Sequence, residues 1–425
     1  MKKPQLLALT VMLIAMTSCH RSPQPDIAAF EQQVEQIRAD LHNVGLAVVA
    51  VKDNKIIYSQ TFGCKHIPSP ATTDDGSLPA DGCHDSLPLL RDDLFRIASI
   101  SKSFTTVSLL QQVEQGKLSL QDDVSDLIGF RVRNPRFPDV PITLEMLLSH
   151  TSSLSDRNGY FRLDVINPDV NPDADSCYND YAPACGYEYC NLNLNLSGAI
   201  LERVSGERFD NYVLNHILRP LGLYGGYNID SLDQSKLVSL YYVEPETDSL
   251  SGQTTVVTTR AADAYGSPAK RLENYRFGYD TPVFSPTGGM KLSAESLAQW
   301  MLVHINYGTL PAATGHEAVQ LISAEHAKDM QRPRSEQEHY GLTLWLTDLY
   351  SEGVTLVGHT GGAYGMRSAM FFNPEKKYGF VVISNGALET PEEIADPQDP
   401  SGSCAEDRSI LTSTLRLMAK TFINQ

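Results

Sequence analysis

The chain has 425 residues, 42% of them apolar and 20% charged, a globular composition long enough for two or three ordinary domains or one large two-lobed one. Its formal net charge of −17 argues against nucleic acid as a partner, because binding phosphates needs a basic face and none is visible.

The first 18 residues, MKKPQLLALTVMLIAMTS, carry two lysines, a short apolar core and then small residues before Cys19. This is the pattern of a secretory signal, too short to span a membrane. The stretch ending at Cys19 resembles a bacterial lipoprotein cleavage site. The chain is therefore expected to be exported and anchored to a membrane through a lipid on Cys19, in the periplasm or outer membrane of a bacterial envelope, with a linker over residues 19–38. Six further cysteines follow, and in an oxidising space pairs are expected. Cys64 with Cys83 and Cys177 with Cys185 are the expected pairs, since each flanks a loop-like insert. The spacings are not those of a zinc site.

Helical spacing runs through AFEQQVEQIRADLH. GLAVVAVKDNKIIYSQTFG then reads as two strands around the turn KDNK. After the first cysteine-flanked insert comes FRIASISKSFTTVSLLQQVEQGKL, three serines and a lysine within five residues, followed by apolar positions at helical period. ITLEMLLSHTSSL is a helix ending in a polar turn, and residues 156–188 are loop-like. NLNLNLSGAILERVSGERFDNYVLNHIL and SAESLAQWMLVHI are helical. From Tyr340 the period changes to two: YGLTLWLTDLY, GVTLVGH, RSAMFFNPE and YGFVVISNG are strand candidates, each break carrying Gly, Asn or Pro. A last helix covers about Asp407 to Phe422. The expected fold class is α/β (α+β): an antiparallel sheet built from both ends of the chain and flanked by helices. Residues 39–104 and 338–425 supply the sheet lobe, and 105–337 an inserted, mainly helical lobe, together one domain.

Ser99 and Lys102 lie three apart, which puts both on one face of a helix. A serine hydroxyl needs a base to become a nucleophile, and a lysine whose pKa burial has lowered can be that base. A serine at a helix start also has backbone N–H groups available for a developing oxyanion. Ser-x-x-Lys alone is weak, because helix-capping serines give the same pattern. A second copy, Ser267 to Lys270, contains a proline and no apolar helix follows it. Two further stretches add weight. YEYCNLNL places Tyr189 and Asn191 two apart at a loop-to-helix junction, a proton shuttle and an amide. LVGHTGGAYG follows a strand, with His359, Gly361 and Gly362 where a ligand can approach the backbone closely.

Taken together, FRIASISKSFT, LLSHTSSL, YEYCN, SPTGGMKLSAESLAQWM and YGLTLW with GHTGGAYG resemble the class C β-lactamase and penicillin-binding-protein-like serine hydrolases, which include D-Ala-D-Ala carboxypeptidases, esterases and acyltransferases. The resemblance runs from about Gly45 to the last helix and implies the β-lactamase/transpeptidase-like fold. It implies Ser99 as the acylated nucleophile, Lys102 as its base partner, and Tyr189 as activator or proton donor to the leaving group. It further implies Asn191 against the substrate's amide side chain, the N–H groups of Ser99 and Gly362 as oxyanion hole, and His359 beside the Ser-Lys-Tyr group. Class C β-lactamases usually carry a lysine where His359 stands, so the histidine fits the peptidase and esterase branches better. Cys190 replaces a usual Ser or Ala, and Ser153 stands where Gly is frequent. Arg367 is a candidate for a substrate carboxylate.

The expected activity is hydrolysis of an ester or amide, small molecule or short peptide, through a Ser99 acyl-enzyme, with no cofactor. The alternatives are acyl transfer to an alcohol and a penicillin-binding or sensor module that does not turn over. Asp169, Asn171, Asp173 and Asp175 sit at the alternate positions of a calcium loop. Ala174 replaces its turn glycine and Asp180 its terminal Glu, so a solvated acidic loop is the expected reading. Composition and motifs leave the oligomeric state open.

Overall fold

The computed structural model describes residues 25–67, 87–247, 254–260, 264–312, 317–335, 338–351, 353–388 and 409–423. The signal segment, Cys19, Cys83 and Cys404 lie outside the described residues. A seven-stranded sheet is made of β1 (Gly45–Lys52), β2 (Lys55–His66), β3 (Leu87–Pro88), β4 (Trp345–Thr347), β5 (Leu356–Ala363), β6 (Met366–Asn373) and β7 (Tyr378–Ser384). Their spatial order is β4-β5-β6-β7-β1-β2-β3, every neighbour antiparallel. Both ends of the chain therefore meet in one sheet through the β1–β7 pair. Asp53 and Asn54 both take positive φ, 49° and 64°, as a two-residue turn between right-twisting strands requires.

Alternation along β1 divides the core. Leu46, Val48 and Ala50 point toward the terminal helices α1 (Ile27–Asp40) and α5 (Ile410–Phe422), packing with Phe30, Leu415 and Met418. Ala47, Val49 and Val51 point to the opposite face, toward Trp300 and Met301 of α4 (Ala294–Ile305). Strand β1 is buried on both faces, which is why it reads as a near-continuous apolar run rather than a strict alternation. Two boundaries differ from expectation. Helix α1 begins at Ile27, inside the segment expected as linker, because Asp26 caps it and Phe30 and Val34 are buried. Helix α4 lies in the stretch assigned to the helical lobe yet covers a face of the sheet.

The helical layer centres on α2 (Lys102–Glu114) and α3 (Asn191–Ser205). From Lys102 to Leu110 every residue of α2 is buried. The polar ones are satisfied internally: the Ser103 hydroxyl donates to Ile100 O, Thr105 to Pro286 O and Ser108 to Phe104 O. The Phe104 ring stacks on Trp300 with centroids 4.0 Å apart and ties α2 to α4.

Cys64 is disulfide-bonded. The expected Cys177–Cys185 bond is absent, and both thiols are free. A 3₁₀ turn, Ala174–Cys177, rotates Cys177 inward, where its Sγ donates to Val165 O at 3.2 Å, while Cys185 is exposed on a separate turn. The calcium-loop candidates do not converge. Asp169, Asp173 and Asp175 are exposed, the Asn171 carbonyl oxygen accepts from Asp173 N, and no acidic or imidazole cluster fit for a metal occurs among the described residues. Among those residues no helix is long and apolar enough to cross a membrane.

Removing the α2–α4 stack creates a large cavity. Phe104→Ala is expected to lower stability by about 3–5 kcal/mol, measured by urea unfolding. A loss under about 1 kcal/mol would mean that this contact does not tie the layers.

Candidate active site

Ser99 lies on a 3₁₀ turn, Ala98–Ser101, that leads directly into α2. In a 3₁₀ turn residues i and i+3 eclipse, which brings Ser99 over Lys102. The turn is held from several sides. Ile97 N donates to Met290 O, Met290 N to Ser101 Oγ, Tyr227 OH to Ser101 O, and Ser368 Oγ of β6 to Ile97 O. Ser101 and Ser103 are thus packing residues.

The Lys102 ammonium is fully buried and spends its three N–H bonds on Ser99 Oγ (2.9 Å), Asn191 Oδ1 (3.0 Å) and Thr287 O (2.9 Å). Burial penalises its charge and pulls its pKa down to about 7, with Asp156 and then Cys190 acting in the raising direction. Near neutral pH a large fraction of the amine is therefore unprotonated, with a lone pair 2.9 Å from the Ser99 hydroxyl.

Tyr189 is half-buried and hydrogen-bonded to Ser99. The Lys102 amine sits 4.8 Å from the Tyr189 ring centroid. Burial pushes the phenol well above its ordinary pKa, the Ser99 contact opposing, so Tyr189 carries its proton at neutral pH. Asn191 opens α3. Its Oδ1 accepts from Lys102 and from Thr287 Oγ1 (2.8 Å), and its Nδ2 donates to Asp156 Oδ2 (2.9 Å). The amide thus bridges Lys102 and Asp156 within the protein, where the resemblance implied a contact to substrate. Cys190, buried between them, donates from Sγ to Asp156 Oδ1.

His359 is buried on β5. Its Nδ1 donates to Thr360 O, which leaves Nε2 to accept from the Tyr340 hydroxyl at 3.0 Å. Burial first, then the Lys102 charge, pulls its pKa down to about 3, so the imidazole is neutral. His359 reaches the Ser99–Lys102–Tyr189 group through ring contact, its centroid 6.0 Å from that of Tyr189, rather than by a direct hydrogen bond. Gly361 shows why this strand needs glycine: a Cβ there would lie 2.4 Å from Ser368 Oγ and 2.6 Å from Ile97 O. The missing side chain lets β5 run against the Ser99 turn. Gly362 is exposed and pairs with Arg367 of β6, which pairs in turn with Ser384 of β7, so Arg367 lies one strand inward from β5. Beyond Gly358, β4 no longer pairs with β5, and residues 359–363 have no strand partner on that side among the described residues.

Four participants carried no assignment from sequence. Asp156 caps α3 from outside, accepting from the N–H groups of Asn191 (2.8 Å) and Leu192 (2.9 Å). It lies 35 positions from the residue it holds, so no local spacing announces it. Thr287 and Tyr340 are likewise assembled by the fold. His150, within LLSHTSSL, is buried against the rings of Tyr189 (4.5 Å) and Tyr340 (5.1 Å) and accepts at Nδ1 from Cys190 N. Ser153, in place of a frequent Gly, takes φ 67°, and its Oγ accepts from Asn134 Nδ2.

With this geometry established, comparison with known proteins is informative. A family model described as Beta-lactamase matches residues 30–399. The chain belongs to the Beta-lactamase family. Protein flp of Staphylococcus aureus strain N315 is 25% identical over 370 residues, covering 84% of this chain. The match spans 63% of that relative's length, less than two thirds. Penicillin-binding protein 4* of Bacillus subtilis is 27% identical over 203 residues, 45% of this chain and 40% of that protein. Among solved structures, the octameric penicillin-binding protein homologue from Pyrococcus abyssi superposes with a TM-score of 0.62 at 22% identity, covering 94% of this chain and 77% of that one. EstCE1, described as a hydrolase with promiscuous acyltransferase activity, gives 0.62 at 19% identity, covering 92% and 98%. These likenesses establish the β-lactamase/transpeptidase fold, and the Beta-lactamase family is one of serine hydrolases.

Asp156 supplies negative charge that holds the Lys102 pKa up. In Asp156→Asn the Lys102 titration is expected to move below about 7, followed by NMR of ¹³C-ε-labelled lysine. An unchanged or higher midpoint would remove Asp156 from the electrostatics of the amine.

Proposed function

We propose that this chain is an exported serine hydrolase that cleaves an ester or amide through an acyl-enzyme on Ser99. The observation that carries the reading is the fully buried Lys102 amine, pulled down to about 7 and 2.9 Å from Ser99 Oγ, with the Tyr189 phenol also bonded to Ser99. The opposite directions of the two shifts support a division of roles. Lys102 is readily unprotonated and acts as base, whereas Tyr189 keeps its proton and acts as donor.

In the first step Lys102 takes the Ser99 proton as Oγ bonds to the substrate carbonyl carbon. The oxyanion lies against the N–H groups of Ser99 and Gly362. Tyr189 gives its proton to the leaving oxygen or nitrogen as that bond breaks, and recovers one from Lys102. Water then attacks the ester on Ser99 by the same path in reverse, releasing the acid. An alcohol in place of water gives acyl transfer, the activity described for EstCE1. The neutral His359 in place of a cation disfavours recognition of a drug carboxylate at that strand, which supports esters and short peptides over β-lactams. Export and a lipid anchor at Cys19 belong to the same proposal and rest on the leader-like first 18 residues.

Hydrolysis of p-nitrophenyl acetate by residues 20–425 is expected to fall by at least about a thousandfold in Ser99→Ala, with an acetyl adduct detectable by intact mass in the wild type only. Equal rates in the two proteins would remove Ser99 as nucleophile. In the wild type kcat/KM is expected to rise with pH through about 7 as Lys102 loses its proton. An acid limb far from that value would assign the base elsewhere.

A further inference from the structure

Beside the Ser99 turn lies a cavity of about 290 Å³ whose wall includes Arg96, Tyr227, Phe284, Lys291 and Tyr364. A small antiparallel pair creates its polar end. Phe95–Arg96 pairs with Lys291–Leu292 so that Arg96 stands directly opposite Lys291. Directly opposed residues on antiparallel strands share a face, with Cβ atoms roughly 4.5–5.5 Å apart, and like charges placed there repel. Here both are withdrawn from water. Lys291 is 5% exposed, and its Nζ donates to Tyr227 O at 2.7 Å. Arg96 donates from Nη1 to Ala264 O at 3.2 Å, while its Nε is buried without a partner.

Neither cation forms a salt bridge among the described residues. Asp230, the carboxylate Lys291 senses, is exposed and accepts a hydrogen bond from Ser267. A third cation, the exposed Arg271, also lines the cavity. The lining is mainly polar; Val283 and Phe284 contribute apolar surface, and the Arg96 guanidinium sits 5.1 Å over the Tyr364 ring. Such a site offers a buried ammonium and a half-buried guanidinium in a polar pocket with a smaller apolar flank.

The cavity adjoins the Ser99 site through the chain. Arg96 precedes Ser99 by three residues. Gly289, in the cavity wall, follows by two the Thr287 whose carbonyl holds Lys102. We propose that this cavity is a carboxylate-recognising subsite, Arg96 and Lys291 holding a carboxylate whose short aromatic or aliphatic body belongs to the substrate of Ser99. The last clause rests on the hydrolase reading. The binding itself does not.

Calorimetric titration with 3-phenylpropionate and with its neutral amide tests it. Wild type and Ser99→Ala are both expected to bind the acid at least about tenfold more tightly than the amide. Lys291→Met, similar in length and uncharged, is expected to bring the two within about twofold. Arg271→Gln, at the exposed wall, is expected to keep the fold and weaken acid binding by about threefold, so the test survives if Lys291→Met does not fold. Equal binding of acid and amide overturns the proposal, as does a preference unchanged in the variants. Tighter binding of inorganic phosphate than of the acid overturns the carboxylate assignment. Acid that binds without competing against p-nitrophenyl acetate overturns its place in the substrate. Because Ser99→Ala enters the binding arm, failure of the nucleophile and failure of the subsite give separate results.

Discussion

The burial of one amine organises this molecule. An ammonium removed from water is costly unless its donors find acceptors and its charge finds compensation. Lys102 receives acceptors from three places in the chain: Ser99 one turn before it, Asn191 at the head of α3, and Thr287 in the loop before α4. The compensating charge comes from a fourth, Asp156, which acts through Asn191 rather than by direct contact. Direct pairing would hold the lysine protonated. An amide between the two leaves enough nearby negative charge for the amine to bind its proton and little enough for it to release that proton near pH 7. Asp156 also accepts the first N–H groups of α3, so the residue that tunes the amine anchors the helix that presents Asn191.

The surrounding rings serve the same end. His150 and His359 are both pulled below their ordinary pKa by burial, and the Lys102 charge adds to the effect on each. Two imidazoles near a cation are thereby neutral, and so add to the desolvation of Lys102 without adding charge. Tyr340 joins them, donating to His359 with its ring centroid 5.1 Å from that of His150. The sheet enters through a steric condition instead. At Gly361 the strand runs so close to the Ser99 turn that a single methyl group would collide with Ile97 O and Ser368 Oγ. Beyond Gly358 the strand has no partner on its outer side among the described residues, which leaves its backbone open to a ligand there.

Much of this was legible in the chain, and what was not has a physical reason. The period-two runs from Tyr340 onward, the KDNK turn and the helical runs announce themselves because local spacing fixes which face is buried. Ser99 and Lys102 are legible for the same reason, being one turn apart. Asp156 and Thr287 were not, since their partners lie in other segments and only packing brings them near. Asn191 was legible as part of the site and misleading in its partner: the implied contact was to substrate, whereas its oxygen is occupied by Lys102 and Thr287. The Cys177–Cys185 pair failed because loop length says how far apart two sulfurs are along the chain and nothing about which way a 3₁₀ turn aims them. Helix α1 was legible from its spacing, and only its first residues, Ile27 and Ala28 behind the Asp26 cap, fell outside that reading.

Two buried lysines then carry different chemistry for reasons visible in their neighbours. Lys102 and Lys291 are both stripped of water, and burial is the leading cause of the lowered pKa of each. Around Lys102 the next charge is the carboxylate of Asp156, and its three acceptors include the hydroxyl that is to be deprotonated. Burial outweighs the opposite charge without abolishing its effect, which leaves the amine able to exchange a proton with its neighbour near pH 7. Around Lys291 the next charge is the guanidinium of Arg96, which adds to burial instead of opposing it, and a single backbone carbonyl accepts from the amine. Among the described residues neither cation has a salt-bridge partner, and Asp230, the carboxylate that raises the Lys291 pKa, is exposed. An anion entering that cavity reverses both penalties at once, so the arrangement that makes Lys291 unfavourable in the empty protein is the one that makes it selective for a negative ligand.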